Sequence, residues 1–259
     1  MSSEISSKTL LRNIEPSRNT PEMLQFYSDL EGFLDGLTWN NLEKLRNFPV
    51  LTWRQQIRNF VEKYELYKMI KNVPGSIVEC GVADGFGLMS FAHLCSIFES
   101  THHTRKVIGF DTFEGFSELL SQDKTSKAIH MKKGGLKHDS YSILQKAVEL
   151  YDRNRPLGHL QKIQLIKGDV SKTLPLFLKE NPYLVIALLY LDMDLYQPTK
   201  NAIRLLLERI PKGGIICFDE INHPDYPGET LALIEEIGLN NLGLKRFDFS
   251  TRACYAVIG

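Results

Sequence analysis

Net charge is the first thing this sequence lacks. Its 259 residues carry 31 Lys+Arg against 31 Asp+Glu, a formal charge of +0, so no overall field draws it toward nucleic acid or an anionic membrane. It has no apolar stretch long enough to span a bilayer, and the opening MSSEISSKTLLRN lacks the apolar core of a signal peptide. The four cysteines, Cys80, Cys95, Cys217 and Cys254, form no C-x-x-C pair, which removes the common redox and zinc motifs and fits a reduced, cytoplasmic chain. No internal repeat or low-complexity tract is visible. The expectation is a protein that binds neither nucleic acid nor membrane, whose specificity comes from a local site.

What is present suits a globular protein with a sizeable core: 43% of residues are hydrophobic and 24% charged. Residues 1–72 read as an N-terminal helical extension. Within it, Trp53, Ile57, Phe60, Val61, Tyr64 and Tyr67 recur at spacings of three and four, predicting a helix over 53–70 that packs through this stripe and ends before Pro74-Gly75. This helix and the amphipathic 21–50 region serve either as a subunit contact in a homo-oligomer or as a cover for the sheet.

The domain that follows, 73–259, alternates short apolar runs with helical stretches. Strands are expected at Ile77–Cys80, Val107–Asp111, Ile163–Lys167, Leu184–Asp192 and Gly214–Asp219, with helices near 87–99, 140–152, 198–209 and 228–238. That rhythm predicts an α/β fold, a Rossmann-like doubly wound and mostly parallel sheet. The closing LKRFDFSTRACYAVIG has two strand-like runs around Ser250-Thr251, predicting a C-terminal antiparallel hairpin. Residues 116–140, poor in apolar side chains and carrying Gly134-Gly135, interrupt the rhythm as a lid or insert on the substrate side.

Ligands of open α/β sheets sit at the carboxyl ends of the strands, and here those ends are acidic. The first strand runs into Glu79-Cys80-Gly81-Val82-Ala83-Asp84-Gly85, where glycines allow the turn to pass close beneath a ligand. This E-x-G-x-x-x-G spacing resembles the cofactor loop of S-adenosylmethionine methyltransferases. The second strand ends in Asp111-Thr112-Phe113. A carboxylate there can accept both hydroxyls of a ribose, or simply cap a loop or helix. The third leads into Asp169-Val170, where Asp169 can face an adenine amino group or cap the stretch that follows.

The fourth and fifth strands end in Asp192-Met193-Asp194 and Asp219-Glu220. Four carboxylates brought together by neighbouring strands, with no basic residue in the same turns, repel one another. A hard divalent cation such as magnesium relieves that repulsion through oxygen ligands.

These pieces match a family. VPGSIVECGVADG, IGFDTFEGF, KGDV, YLDMDLYQPT and PKGGIICFDEINHPDYPGET resemble the macrocin O-methyltransferase family, which methylates sugar hydroxyls of macrolide and related natural products, and more distantly catechol O-methyltransferase. The similarity runs from about Tyr64 to Glu235. It implies S-adenosylmethionine as cofactor, with Glu79, Gly81 and Gly85 at its amino-acid end, Asp111 with the neighbouring Thr112 and Phe113 at the ribose, and Asp169 with Val170 at the adenine. It further implies a metal held by Asp192, Asp219 and Glu220, with Asp194 as alternative ligand, and Asp192 as the catalytic proton acceptor. The commoner family pattern has two aspartates where this chain has Asp219-Glu220, which bears on the ligand number. The implied acceptor is a small sugar-containing molecule with a vicinal diol.

Two other readings compete. Gly81-x-x-x-Gly85-x-Gly87 with Tyr196-x-x-x-Lys200 also suits an NAD(P)-dependent short-chain dehydrogenase. Pro198, however, is expected at a helix start with Tyr196 outside it, and the acidic ends would then have no purpose. A non-catalytic binding protein of the same fold is the other alternative, and the intact acidic ends argue against it.

Overall fold

The computed structural model describes residues 19–124, 128–250 and 252–259. Residues 1–18 of the N-terminal tail, 125–127 of the expected insert and Thr251 of the expected hairpin lie outside the described residues.

Two compact units divide between Arg58 and Asn59. The first is helical, and its helices start where local chemistry dictates. Helix α1 (Pro21–Asp35) has Thr20 as N-cap, accepting from the Met23 amide, and Pro21 in its first turn, where no amide partner is needed. Helix α2 (Asn41–Arg46) opens with a reciprocal capping box between Asn40 and Glu43. A single turn, α3 (Phe48–Leu51), follows. Helix α4 (Arg54–Ile70) begins in this unit and continues into the second.

The second unit is the α/β domain. Its strands are β1 (Ser76–Cys80), β2 (Val107–Asp111), β3 (Ile163–Lys167), β4 (Ile186–Leu191), β5 (Ile215–Phe218) and β6 (Cys254–Val257), ordered β3-β2-β1-β4-β5-β6. All neighbours are parallel except β5–β6. The antiparallel C-terminal end is present, but the hairpin's first limb shrinks to one bridge, Lys245 with Tyr255. Two strand starts differ from expectation: β4 starts at Ile186, after a turn in which the Leu184 amide donates to the Asn181 carbonyl at 3.1 Å, and β5 starts after the Gly213-Gly214 turn.

Helices cover both faces, as right-handed parallel crossovers require. On one side α4, α5 (Phe86–Phe98) and α6 (Tyr141–Arg153) bury Leu66, Ile70, Phe91 and Leu144 against Ile77, Leu188 and Ile215. On the other, α7 (Val170–Glu180), α8 (Tyr196–Leu206) and α9 (Gly228–Glu236) bury Leu174, Ile203 and Leu233 against Val78, Leu189 and Ile216. No helix among the described residues is long and apolar enough to cross a membrane.

Helix α4 corrects the sequence reading. The expected apolar stripe packs only at its C-terminal end, where Tyr67 is buried and Tyr64 lies against the core; Ile57, Phe60 and Val61 are more than a third exposed, and Glu62, Lys63, Leu66 and Ile70 are buried beside Tyr67. Two charged residues lie on the packed side because their partners come from distant parts of the chain, and hydrophobic spacing cannot register them.

Candidate active site

Strand register explains how the acidic ends meet. Glu79 on β1 pairs with Gly109 of β2 and with Tyr190 of β4, and Tyr190 pairs with Cys217 of β5. Successive residues alternate faces, so the next row of the same face is Asp111, Gly81, Asp192 and Asp219. The ladder continues to that row: Gly81 donates to the Phe110 carbonyl at 2.9 Å, Asp192 to Cys80 at 2.8 Å and Asp219 to Leu191 at 3.0 Å. The row lies where the order reverses between β1 and β4, the place where open α/β sheets bind ligands.

Gly81 occupies the middle of this row for a reason the sequence did not reveal. Its φ is +95°, and an added Cβ would meet the Asp192 carbonyl oxygen at 1.7 Å, so the neighbouring strand end, before any ligand, demands glycine. Strain gathers at the same edge. Among the described residues, Ala83, Phe113, Asp194 and Asn222, one in each loop leaving β1, β2, β4 and β5, hold φ between +49° and +62° without being glycine, a conformation kept mainly where function requires it.

On the β1–β3 side, Glu79 is 3% exposed and its Oε2 has no hydrogen-bond partner. Burial pushes its carboxyl up to about 8, helped by Asp111 and opposed by Lys63. Gly87 faces it, with no room for a side chain, since a Cβ would lie 2.0 Å from Glu79 Oε1. Gly85 holds the left-handed turn that opens α5, at φ +86°. Asp111 already works within the protein: Oδ2 accepts the Val82 and Ala83 amides, both at 2.8 Å, and Oδ1 the Phe113 amide at 2.6 Å. Thr112 closes its own turn by donating to the Gly115 carbonyl at 2.7 Å. The Phe113 ring is buried 5.0 Å from that of Tyr141. Asp169 caps α7 by accepting the Ser171 amide at 2.9 Å, and the Val170 side chain is packed into the core.

On the β4–β5 side the expected carboxylates are together, with company that local sequence did not show. Arg252, from the segment before β6, places Nη2 2.9 Å from Asp219 Oδ2 and 2.7 Å from Glu220 Oε1. Tyr190 donates to Asp219 Oδ1 at 2.6 Å. Burial raises the Asp219 carboxyl, but Arg252, Lys63 and the Tyr190 hydroxyl outweigh it and hold the group below the usual range. Asp192 goes the other way: burial, then Asp219 and Asp194, push it well up. Asp194 is pushed up to about 7 by burial, against the pull of Arg252. The expectation of a cluster without a basic partner is therefore corrected, because the guanidinium arrives from 33 residues beyond Asp219.

Glu229, like Arg252, is a residue that sequence reasoning missed. Fully buried in the first turn of α9, it accepts the Met193 and Asp194 amides at 3.1 and 3.3 Å and the Glu220 amide at 3.1 Å, tying the β4 and β5 loops together. The signal was Gly228 before it, whose Cβ would lie 2.3 Å from the Tyr196 amide nitrogen. The insert is anchored to the loops leaving β4 and β1. Asp123 accepts the Tyr196 amide at 2.8 Å and the Leu120 amide at 2.9 Å, Ser140 donates to the Ala83 carbonyl at 2.6 Å, and His138 lies 2.9 Å from Asp84.

Tyr196 also differs from expectation. Leu195 is the N-cap, so Tyr196 is the first residue of α8 and Pro198 lies inside the first turn, where proline is tolerated. Tyr196 and Lys200 therefore do share a helical turn, at 2.9 Å, but both side chains engage Glu235 of α9.

Comparison with known proteins places this arrangement. Among curated proteins none matches the chain. The solved structure of the calicheamicin methyltransferase CalS11 is 31% identical, covers 93% of this chain and 94% of its own, and superposes with a TM-score of 0.88. The apo structure of the same enzyme, described as a TDP-rhamnose 3'-O-methyltransferase, is 31% identical over 93% of this chain and 96% of its own, with a TM-score of 0.81. The O-methyltransferase NovP shares the fold at 19% identity, over 78% of this chain and 80% of its own, with a TM-score of 0.61. The macrocin-O-methyltransferase (TylF) family profile matches residues 50–227, from the end of α3 to the turn before Glu229 and across all five parallel strands. The chain, with its acidic row inside that span, belongs to the macrocin O-methyltransferase family and is an enzyme of the O-methyltransferase class.

Proposed function

We propose that the chain transfers the methyl group of S-adenosylmethionine to a hydroxyl of a deoxysugar, presented as a sugar nucleotide or on a glycosylated natural product. The observation that carries the cofactor is Glu79 Oε2, a buried acceptor without a donor at the switch point. Such an atom is costly unless something donates to it, and the cofactor's ammonium is a donor of the right charge. The acceptor class is supported by the likeness to CalS11.

S-adenosylmethionine, when bound, supplies an electrophilic sulfonium methyl. Glu79 holds the amino-acid end. Asp111 has three of its roughly four lone-pair sites taken by amides, leaving about one for a ribose hydroxyl, beside Thr112 and Phe113. Asp169, with one oxygen on its helix cap, has the other for the adenine amino group. Asp192 takes the proton of the acceptor hydroxyl. Burial, with Asp219 and Asp194 beside it, raises its carboxyl, so its ionised form binds a proton more tightly than an ordinary carboxylate does.

A divalent cation at Asp192, Asp219 and Glu220, or Asp194, belongs to the sequence expectation, and the oxygen-only donors suit magnesium. Their arrangement does not fit one. Asp219 is hydrogen bonded through both oxygens, to Tyr190 and Arg252, Glu220 is paired to Arg252, and no group of three ligating side chains among the described residues is placed to hold a metal. No step is assigned to the cation.

Thermal-shift titration with S-adenosylmethionine, NAD and magnesium, followed by mass spectrometry of TDP- and GDP-deoxysugars incubated with enzyme and cofactor, tests the proposal. Stabilisation by S-adenosylmethionine and one methylated sugar are expected. Stabilisation by NAD alone, or no methylated sugar from cofactor-bound enzyme, would overturn it.

A further inference from the structure

Glu62 and Lys63, each 6% exposed, lie on the packed side of α4. Buried charges persist only when paired and hydrogen bonded, and both are. Lys63 Nζ lies 3.1 Å from Glu62 Oε1, and Ser250 donates to Glu62 Oε2 at 2.6 Å. Lys63 then donates to the Tyr190 hydroxyl at 2.6 Å, with the ammonium 3.9 Å from the ring centroid.

Donor and acceptor identities give this chain of contacts a direction. An ammonium only donates, so Lys63 claims a lone pair of the Tyr190 oxygen and turns its single proton elsewhere. Glu62 Oε1 is 3.5 Å away, whereas Asp219 Oδ1 is at 2.6 Å, so the proton goes to Asp219. With Arg252 on Oδ2 at 2.9 Å, both oxygens of Asp219 are fixed. A plain structural pair would need none of this, since apolar side chains of similar size hold a helix to a sheet at least as well as a buried ion pair.

We propose that Lys63 is a positioning residue for methyl transfer, acting through the Tyr190 hydroxyl to set the Asp219 carboxylate at the acceptor side of the site. The inference rests on the methyltransferase reading of that site. Lys63 is on α4, 127 residues before Tyr190, and belongs to none of the sequence motifs that carried the functional reading.

The test compares wild type, Lys63→Met, Tyr190→Phe and the double variant, using S-adenosylmethionine and whichever member of the TDP- and GDP-deoxysugar panel the wild type methylates. Each single substitution is expected to lower kcat by about 10- to 100-fold, the effect of removing a hydrogen bond in a charged network. Affinity for S-adenosylmethionine, read by calorimetry, stays within about twofold. The double variant is no slower than the slower single one, since both remove the same connection. Should Lys63→Met fail to fold, Tyr190→Phe carries the test, because it leaves the Glu62–Lys63 pair intact. Wild-type kcat in Tyr190→Phe, or losses that multiply in the double variant, would overturn the proposal while the wild type remains active. A wild type that binds no S-adenosylmethionine and methylates nothing overturns the functional reading, and this inference with it.

Discussion

Glu79 offers the sharpest test, because its protonation and cofactor binding are linked. Burial, with Asp111 adding to it and Lys63 opposing, raises its carboxyl to about 8 from an ordinary 4.5. An ammonium is bound by the ionised form, so binding below pH 8 must expel a proton. About 1% of the group is ionised at pH 6 and about 10% at pH 7. Cofactor affinity is therefore expected to rise close to tenfold per pH unit between pH 5.5 and 7.5, below the range where the cofactor's own α-amino group titrates. The same shift fixes the sign for stability. A carboxyl whose folded pKa lies above its unfolded value binds more protons when folded between 4.5 and 8, so without cofactor the protein loses stability as pH rises through that window. Glu79→Gln, which cannot ionise, should flatten both slopes. Calorimetry in two buffers of different ionisation enthalpy, which counts the released proton, and thermal melts of both proteins at pH 6 and 8 provide the measurements. A pH-independent affinity in the wild type, or equal slopes in wild type and variant, would refute the assignment of the ammonium to Glu79.

Other consequences are equally direct. Gly81→Ala puts a Cβ 1.7 Å from the Asp192 carbonyl at a left-handed φ; the melt should show a loss of at least about 2 kcal/mol, and an unchanged Tm would mean that the strand ends are not this close. Asp123→Ala frees the Tyr196 and Leu120 amides, so a loss of about 1 kcal/mol, roughly 2–4 °C in Tm, is expected, together with a raised KM for the sugar if the insert faces it. Arg252→Met uncovers Asp219 Oδ2 and Glu220 Oε1. Magnesium should then raise the Tm of this variant more than that of the wild type, and no magnesium effect on either would end the metal reading.

The sheet was legible because its parallel strands are short, mostly apolar runs ended by glycine or acid. Boundaries failed where a turn reached into an apolar run, as at Leu184, whose amide is held by the Asn181 carbonyl. The acidic row was legible for the same reason that it exists: Asp111 closes its strand, Asp192 and Asp219 directly follow theirs, and register does the rest. Its satisfying partners were not legible. Lys63, Glu229 and Arg252 reach Tyr190, the Asp194 amide and Asp219 across 127, 35 and 33 residues, distances at which no local pattern links two side chains. Helix α4 shows the cost most plainly, since Ile57, Phe60 and Val61 of its apolar stripe are left more than a third exposed while the charged pair Glu62 and Lys63 is buried.

Those distant partners sharpen what the site lacks. Glu79, Asp192, Asp194, Asp219, Glu220 and Glu229 gather at or beside adjacent strand ends; Arg252 pairs with two of them, Lys63 reaches Asp219 through Tyr190, and His223 lies 3.7 Å from Glu220. Arg252 is committed to Asp219 and Glu220, and Lys63 is held between Glu62 and Tyr190. Burial raises the carboxyls of Glu79, Asp192, Asp194 and Glu229 above their ordinary values, and for each a neighbouring carboxylate adds to the rise. A chain with no net charge thus carries a local deficit of positive charge at its switch point. A ligand that brings its own cations, an ammonium beside Glu79 and a sulfonium between the two acidic flanks, answers that deficit directly, whereas the pyrophosphate of a dinucleotide would bring further negative charge. Electrostatic balance, more than the glycine loop that two families share, is what separates the methyltransferase reading from the dehydrogenase one.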